Sequence, residues 1–380
     1  MQNPSMFDLG LFTGAEQHEN FANWNQLLLS KKMLPADAPY TFPKGADKVM
    51  PKHYTYEGAE KSFEQFFIET DTAALLVLQD GQIQFERYAL TGGKEVPWVS
   101  MSVAKSFIST LVGIAIEEGH IQSIEDTMDK YIPDLSGSVY DGVTIKDVLQ
   151  MSSGASWNED YSDPTCDVFR LGAAVSGVSD LNTFVTTTKR EFPAGQLCRY
   201  NSTDTQALGS LLACATQKSV SEYMQEKLCT PLGMEYPSYW MTDHSGMEGV
   251  FAGLSMTARD FAKLGELFRN KGNWKGQQII SADWVERATR WDAPHLEPGK
   301  VEVGGKKWTV GYGYQWWIPD GDRGAFTAIG VYNQFVYVDP ISKVTIVKLS
   351  ANRQYGTSPY ESTNKEIETI EFLRRIVGMF

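Results

Sequence analysis

Histidine is scarce in this chain, and the five present (His18, His53, His120, His244 and His295) form no ligand motif. Cysteine is scarcer. Cys166, Cys198, Cys214 and Cys229 stand far apart without a Cys-x-x-Cys pair, which argues against a zinc site and for free thiols in a reducing compartment. Neither a metal nor another cofactor is expected. Positive charge is also in deficit. With 34 Lys and Arg against 47 Asp and Glu the net charge is −13, and no basic cluster interrupts it. Nucleic acid and anionic membrane surfaces are therefore not expected partners. No apolar run reaches the roughly 18 to 20 residues of a membrane helix. Met1-Gln2-Asn3-Pro4-Ser5 has neither the positive nor the apolar region of an export signal. The expectation is a cytoplasmic protein without internal repeats or low-complexity segments.

What is present is enough apolar material for a large core, 42% of 380 residues. Residues 1–60 are rich in Asn, Pro, Gly and aromatics without sustained periodicity, and read as an extension wrapped over the body. Residues 73–78 and 82–88 flank Asp80-Gly81, a strong signal for a two-stranded hairpin. A helix is expected from Ser102 to near Gly119, and another from Ala258 to Phe268 behind Thr257 as N-cap. Residues 136–235 read as helices and loops punctuated by Pro164, Pro193 and Pro231. The last third returns to strands, at 310–318, 334–339 and 343–350. A closing helix carries Ile367, Ile370, Leu373 and Ile376. The expected organisation is an α/β domain from 61–135 and 236–380, whose sheet the C-terminal strands complete. A mostly helical domain at 136–235 is inserted into it.

Three clusters carry chemistry. In Ser102-Val103-Ala104-Lys105 the hydroxyl and the amine fall on one face of one helical turn. Serine becomes a nucleophile when a neighbouring base takes its proton, and an amine with a lowered pKa can do so. Val103, Phe107, Ile108, Leu111 and Val112 surround Lys105 with apolar side chains, a setting that depresses a lysine pKa. The bland alternative is a lysine snorkelling from an ordinary helix start. Second, Tyr200 lies between the turn at Pro193-Ala194-Gly195 and a helix beginning near Thr203. A phenol that acts as a base needs its pKa lowered, and the Lys105 ammonium is the simplest source, giving a coupled Ser-Lys-Tyr set. The alternative is a core tyrosine bonded to backbone. Third, Gly330 in Thr327-Ala328-Ile329-Gly330-Val331 lets a ligand approach a strand closely, with the next N–H as an oxyanion donor.

In this order the three clusters resemble the serine β-lactamase and penicillin-binding group, in its class C and family VIII esterase branch. Supporting phrases include Leu149-Gln150-Met151-Ser152-Ser153-Gly154, Pro231-Leu232-Gly233-Met234 and Gly253-Leu254-Ser255-Met256-Thr257. The resemblance covers about residues 70 to 375. Within the group, Trp157-Asn158-Glu159-Asp160-Tyr161 and Gly330-Val331-Tyr332-Asn333-Gln334 look most like the 6-aminohexanoate-dimer hydrolases. The implied fold is an antiparallel sheet of five or slightly more strands flanked by helices, with the inserted helical domain.

The resemblance implies an acyl-enzyme hydrolase of small amides or esters. Ser102 would attack, Lys105 and Tyr200 would take its proton, and Tyr200 would return one to the leaving group. The backbone N–H groups of Ser102 and Val331 would form the oxyanion hole beside Gly330. Tyr161 would reach the amide nitrogen of the substrate, and Trp317 would either wall the pocket or pack in the core. Two positions depart from the family pattern. Ser202 replaces the Asn that pairs with the lysine, and Ala328 replaces the Lys or His that pairs with a β-lactam carboxylate. Both departures favour a simple amidase or esterase. The competing readings are a β-lactamase, a penicillin-binding protein that deacylates slowly, and a catalytically silent scaffold. The expected partner is a small-molecule substrate, with room left for a homodimer.

Overall fold

The computed structural model describes residues 4–380, so Met1, Gln2 and Asn3 of the expected extension lie outside the described residues. The hairpin forms as β1 (Thr72–Gln79) and β2 (Gln82–Tyr88). Asp80 and Gly81 both take positive φ, +48° and +75°, which a two-residue type I′ connection requires. The C-terminal strands are β3 (Val310–Tyr312), β4 (Trp317–Pro319), β5 (Phe326–Gly330), β6 (Gln334–Asp339) and β7 (Val344–Ser350). They complete one seven-stranded sheet in the order β3-β4-β5-β6-β7-β1-β2, every neighbour antiparallel. The stretch 310–318, expected as one strand, is a hairpin instead. Gln315 turns the chain at φ +60°, and a Cβ on Gly313 would stand 2.1 Å from the Ala288 carbonyl oxygen. The backbone is pinned there and cannot run on straight.

Alternation along β1 divides the core in two. Leu76 and Leu78 join Phe261 and Leu264 of a helix α3 (Ala258–Arg269) on one face. Leu75 and Val77 join Phe372 and Leu373 of the closing helix α4 (Glu366–Val377) on the other. Thr257 caps α3 as expected, its hydroxyl accepting from the Asp260 N–H. A Cβ at Gly265 of α3 would lie 2.6 Å from Thr345 Cγ2, which shows how closely the helix seats on the sheet.

The helix expected from Ser102 begins as a 3-10 turn at Met101–Val103 and is α-helical as α1 (Ala104–Glu117). Residues 104–115 are all buried, which accounts for a sequence with almost no polar face. Against α1 packs α2 (Ser202–Thr216), the longest helix of the 136–235 stretch, whose N-cap Asn201 accepts from the Thr203 N–H. A second, four-stranded sheet frames the entrance to α1. It joins Ser30–Met33, Ser238–Met241, Leu254–Met256 and Trp98–Val99. The extension is thus part of the body, with Leu11, Phe21 and Trp24 buried in the larger core. Among the described residues no helix is long and apolar enough to cross a membrane, and the four thiols are unpaired.

Candidate active site

Ser102 stands where the small sheet hands over to α1. The Ser100 N–H donates to the Leu254 carbonyl at 2.7 Å, and Met101 then takes φ +46°, uncommon for a bulky residue. This kink starts the 3-10 turn and leaves Lys105 one turn beyond the serine. Gly330, at the end of β5, presses on the kink. A Cβ there would lie 2.5 Å from the Ser100 carbonyl oxygen and 3.0 Å from the Ser102 nitrogen. The glycine is needed, but the close approach is by the chain's own backbone rather than by a ligand. The contact sets Val331 beside Ser102, and both line the same two cavities.

Lys105 Nζ has three oxygen neighbours: Ser102 Oγ at 2.8 Å, Ser202 Oγ at 3.1 Å and the Phe251 carbonyl at 2.7 Å. Their chemistry fixes what the amine must do. A carbonyl only accepts, and the Ser202 hydroxyl already gives its proton to Glu159 Oε1 at 2.7 Å. Both therefore take an N–H from Lys105. A neutral amine has two, so its lone pair is left for the Ser102 hydroxyl. Burial lowers the Lys105 pKa to about 8, with the charge of Glu159 acting in the opposite direction. The shift favours the form that this geometry needs.

Tyr200 is buried, with Lys105 Nζ 5.0 Å from its ring centroid, and it lines one cavity together with Ser102. The expected lowering of its pKa is not found. Burial first, and then the charge of Glu159, push the phenol well above its ordinary value, and the nearby Ser102 hydroxyl offsets this only in part. Burial thus favours the protonated phenol of Tyr200 and the neutral amine of Lys105.

Ser202 reaches Lys105 despite its shorter side chain, because it occupies the first turn of α2 directly beside α1. The hydroxyl of Tyr161 is committed to Glu159 Oε1 at 2.6 Å, while its ring lines both cavities next to Ser102. Trp317 lies 5.1 Å from Tyr200 and stacks on Trp308 at 4.8 Å, and it lines one of those cavities. Wall and core packing are here the same position. Ala328 is buried in β5.

Glu159 is the residue that sequence reasoning passed over. It is 1% exposed and accepts four hydrogen bonds, from Trp157 Nε1, Tyr161 OH, and the hydroxyl and N–H of Ser202, at 2.6 to 2.9 Å. It ties the Tyr161 segment to the start of α2 and fixes the direction of the Ser202 proton. The signal was its place in Trp157-Asn158-Glu159-Asp160-Tyr161, an acidic residue between two aromatics that can donate.

Known proteins resemble this chain in sequence and in fold. The beta-lactamase family model matches residues 62–370. A curated 6-aminohexanoate-dimer hydrolase from Paenarthrobacter ureafaciens is 30% identical over 296 residues, covering 76% of this chain and 74% of its own. A solved structure named as a candidate 6-aminohexanoate-dimer hydrolase from Bacillus anthracis superposes with a TM-score of 0.81 at 25% identity, covering 94% of each chain. A family VIII carboxylesterase shares the fold, with a TM-score of 0.64 at 16% identity over 84% of this chain and 95% of its own. With the family model spanning most of its length and a curated relative 30% identical over three quarters of it, the chain belongs to the beta-lactamase family of serine hydrolases.

Proposed function

We propose that Ser102 is the nucleophile of a cytoplasmic amidase or carboxylesterase that acts on small substrates through an acyl-enzyme. As Ser102 Oγ bonds to the substrate carbonyl carbon, its proton passes to neutral Lys105, and the oxyanion lies against the N–H groups of Ser102 and Val331. When the C–N or C–O bond breaks, Tyr200 protonates the leaving atom and recovers a proton from Lys105 through the site. Water then attacks the ester in the same way and Ser102 is released. The observation that carries this reading is the set of three oxygens around Lys105 Nζ. The Phe251 carbonyl and the Ser202 hydroxyl, whose proton goes to Glu159, accept its N–H groups and leave Ser102 facing the lone pair of the neutral amine. The named relatives support amide or ester bonds as the target. Unpaired thiols support a reducing compartment, and the run of helices at 136–235 supports a separate helical domain.

Ala328 disfavours the β-lactamase alternative, since a buried methyl offers no charge to a β-lactam carboxylate. The test is turnover of p-nitrophenyl acetate and butyrate, the linear 6-aminohexanoate dimer and nitrocefin. Ester or amide turnover with little nitrocefin signal is expected. No turnover, with a lasting penicillin adduct by intact mass, would replace the hydrolase with a binding protein.

Tyr200→Phe removes the proton donor and keeps the ring against Trp317. Its acylation rate is expected to fall by roughly 10² to 10³, more for amides, whose leaving nitrogen needs the proton, than for p-nitrophenyl esters. Equal, near-wild-type rates on both would remove Tyr200 from the scheme. Glu159→Gln keeps the size of the side chain and one acceptor oxygen, loses acceptance at the other, and takes away the charge that raises the Lys105 pKa. The acidic limb of kcat/KM should move to lower pH. An unmoved limb with only a lower plateau would mean that Glu159 acts through packing alone.

A further inference from the structure

Ser102 lies between two cavities of unlike character. One is shared with Tyr200, Trp308 and Trp317, and it abuts a wider space of about 200 Å³ with Lys306, Lys307, Glu361 and Glu366 on its walls. Both cavities at Ser102 are small, about 20 Å³ for the first and about 30 Å³ for the other. Apart from Ser102, Ser202, Tyr161 and the indole of Trp24, whose buried N–H has no hydrogen-bond partner, the lining of the second cavity is apolar, and it contains no acidic or basic side chain. Tyr200 borders only the first cavity.

Four of the second cavity's walls, Met6, Leu11, Phe12 and Trp24, come from the N-terminal segment, ahead of the span 62–370 that the family model matches. Phe12 is the most constrained of them. Its backbone is left-handed at φ +59°, where a bulky residue is an outlier, and its N–H donates to Tyr332 OH at 2.7 Å. Its ring stacks on Tyr161 at 4.8 Å and on Tyr332 at 4.9 Å. Beside it Met6 fills space that exists because residue 172 is glycine, where a Cβ would stand 2.4 Å from Met6 Cε.

Resting on the serine-hydrolase reading above, we propose that this second cavity is the acyl subsite and that its N-terminal roof restricts the enzyme to short, uncharged acyl groups, with Phe12 as a specificity-determining residue. The assignment follows from the proton donor. The leaving atom must lie within reach of Tyr200, so the leaving group occupies the Tyr200 side and the acyl group the other. An ammonium at the end of the acyl chain would meet no side chain of opposite charge to replace its water, and a carboxylate no cation, with the Trp24 N–H as its one unpartnered donor. A long chain would meet Phe12, which cannot yield without losing its stacking and its hydrogen bond. The leaving group, by contrast, faces charged walls and can be polar.

The experiment holds the leaving group fixed and varies the acyl group. Rates of p-nitrophenyl acetate, butyrate, hexanoate and 6-aminohexanoate are measured with wild type, Phe12→Ala and the milder Phe12→Leu. In wild type, acetate and butyrate should exceed hexanoate by about tenfold or more in kcat/KM, with 6-aminohexanoate the poorest. In Phe12→Ala the ratio of hexanoate to acetate should rise about tenfold, and in Phe12→Leu in the same direction. A 6-aminohexanoate ester turned over as fast as butyrate would overturn the proposal, as would Phe12 variants that slow every ester by one factor. Wild type is read by itself, so a poorly folded variant does not remove the test. Failure here leaves Ser102-dependent acetate hydrolysis intact, whereas failure of the hydrolase reading abolishes it.

Discussion

Ser102→Ala is expected to bring the hydrolysis of every ester and amide down to the background rate, a loss on the order of 10⁶ where the wild-type rate allows it to be seen. The surroundings offer no substitute nucleophile. Of the other hydroxyls at the cavities next to Ser102, those of Ser202 and Tyr161 are committed to Glu159, that of Tyr355 to Glu366, and that of Tyr200 is a phenol whose pKa is pushed up by burial. The fold should be undisturbed. The variant loses one hydrogen bond to Lys105, about 1 kcal/mol in a protein of this size, and the 3-10 turn rests on Met101 and Gly330 rather than on the hydroxyl. Circular dichroism and the melting midpoint should match wild type while turnover vanishes. A well-folded variant that retains a few per cent of the rate would mean that Lys105 activates water directly, and the acyl-enzyme would be abandoned.

Much of this arrangement is legible in the sequence for a physical reason. Ser102, Lys105, Tyr200 and Gly330 sit at chain positions where local rules act: one helical turn, a residue ahead of a helix cap, the end of a strand. The hairpin at Asp80-Gly81, α3 behind Thr257 and the strands flanking Pro340 were readable for the same reason. What stayed hidden depends on long-range packing. No pattern near residue 12 announces that Phe12 stacks on Tyr161 and Tyr332, some 150 and 320 residues away. Phe251 contributes a carbonyl, which the residue name does not reveal. The Tyr200 shift was read with the wrong sign because proximity to Lys105 was weighed without the burial and the Glu159 charge that outweigh it. The hairpin within 310–318 was missed because two short aromatic strands and their turn have the composition of one longer strand.

Lys105→Ala is expected to slow acylation by about 10³ to 10⁴, the upper range for loss of a positioned general base. The pH profile makes the prediction specific. Below its pKa of about 8, Lys105 is an ammonium whose three N–H groups donate to Ser102, Ser202 and the Phe251 carbonyl, and no lone pair faces the nucleophile. Activity of wild type should therefore rise with pH, by about tenfold per unit on the acidic limb, and level off above pH 8. Both Lys105→Ala and the volume-preserving Lys105→Met should lose that limb along with the rate. Because Lys105 is fully buried, the alanine variant also leaves a space lined by Ser102, Ser202 and the Phe251 carbonyl. Small primary amines such as ethylamine should enter it and restore part of the rate in Lys105→Ala but not in Lys105→Met, where the side chain fills the space. If the limb near pH 8 persists in both variants, the titrating group is elsewhere, and Lys105 serves only to hold Ser102 and Ser202 in place.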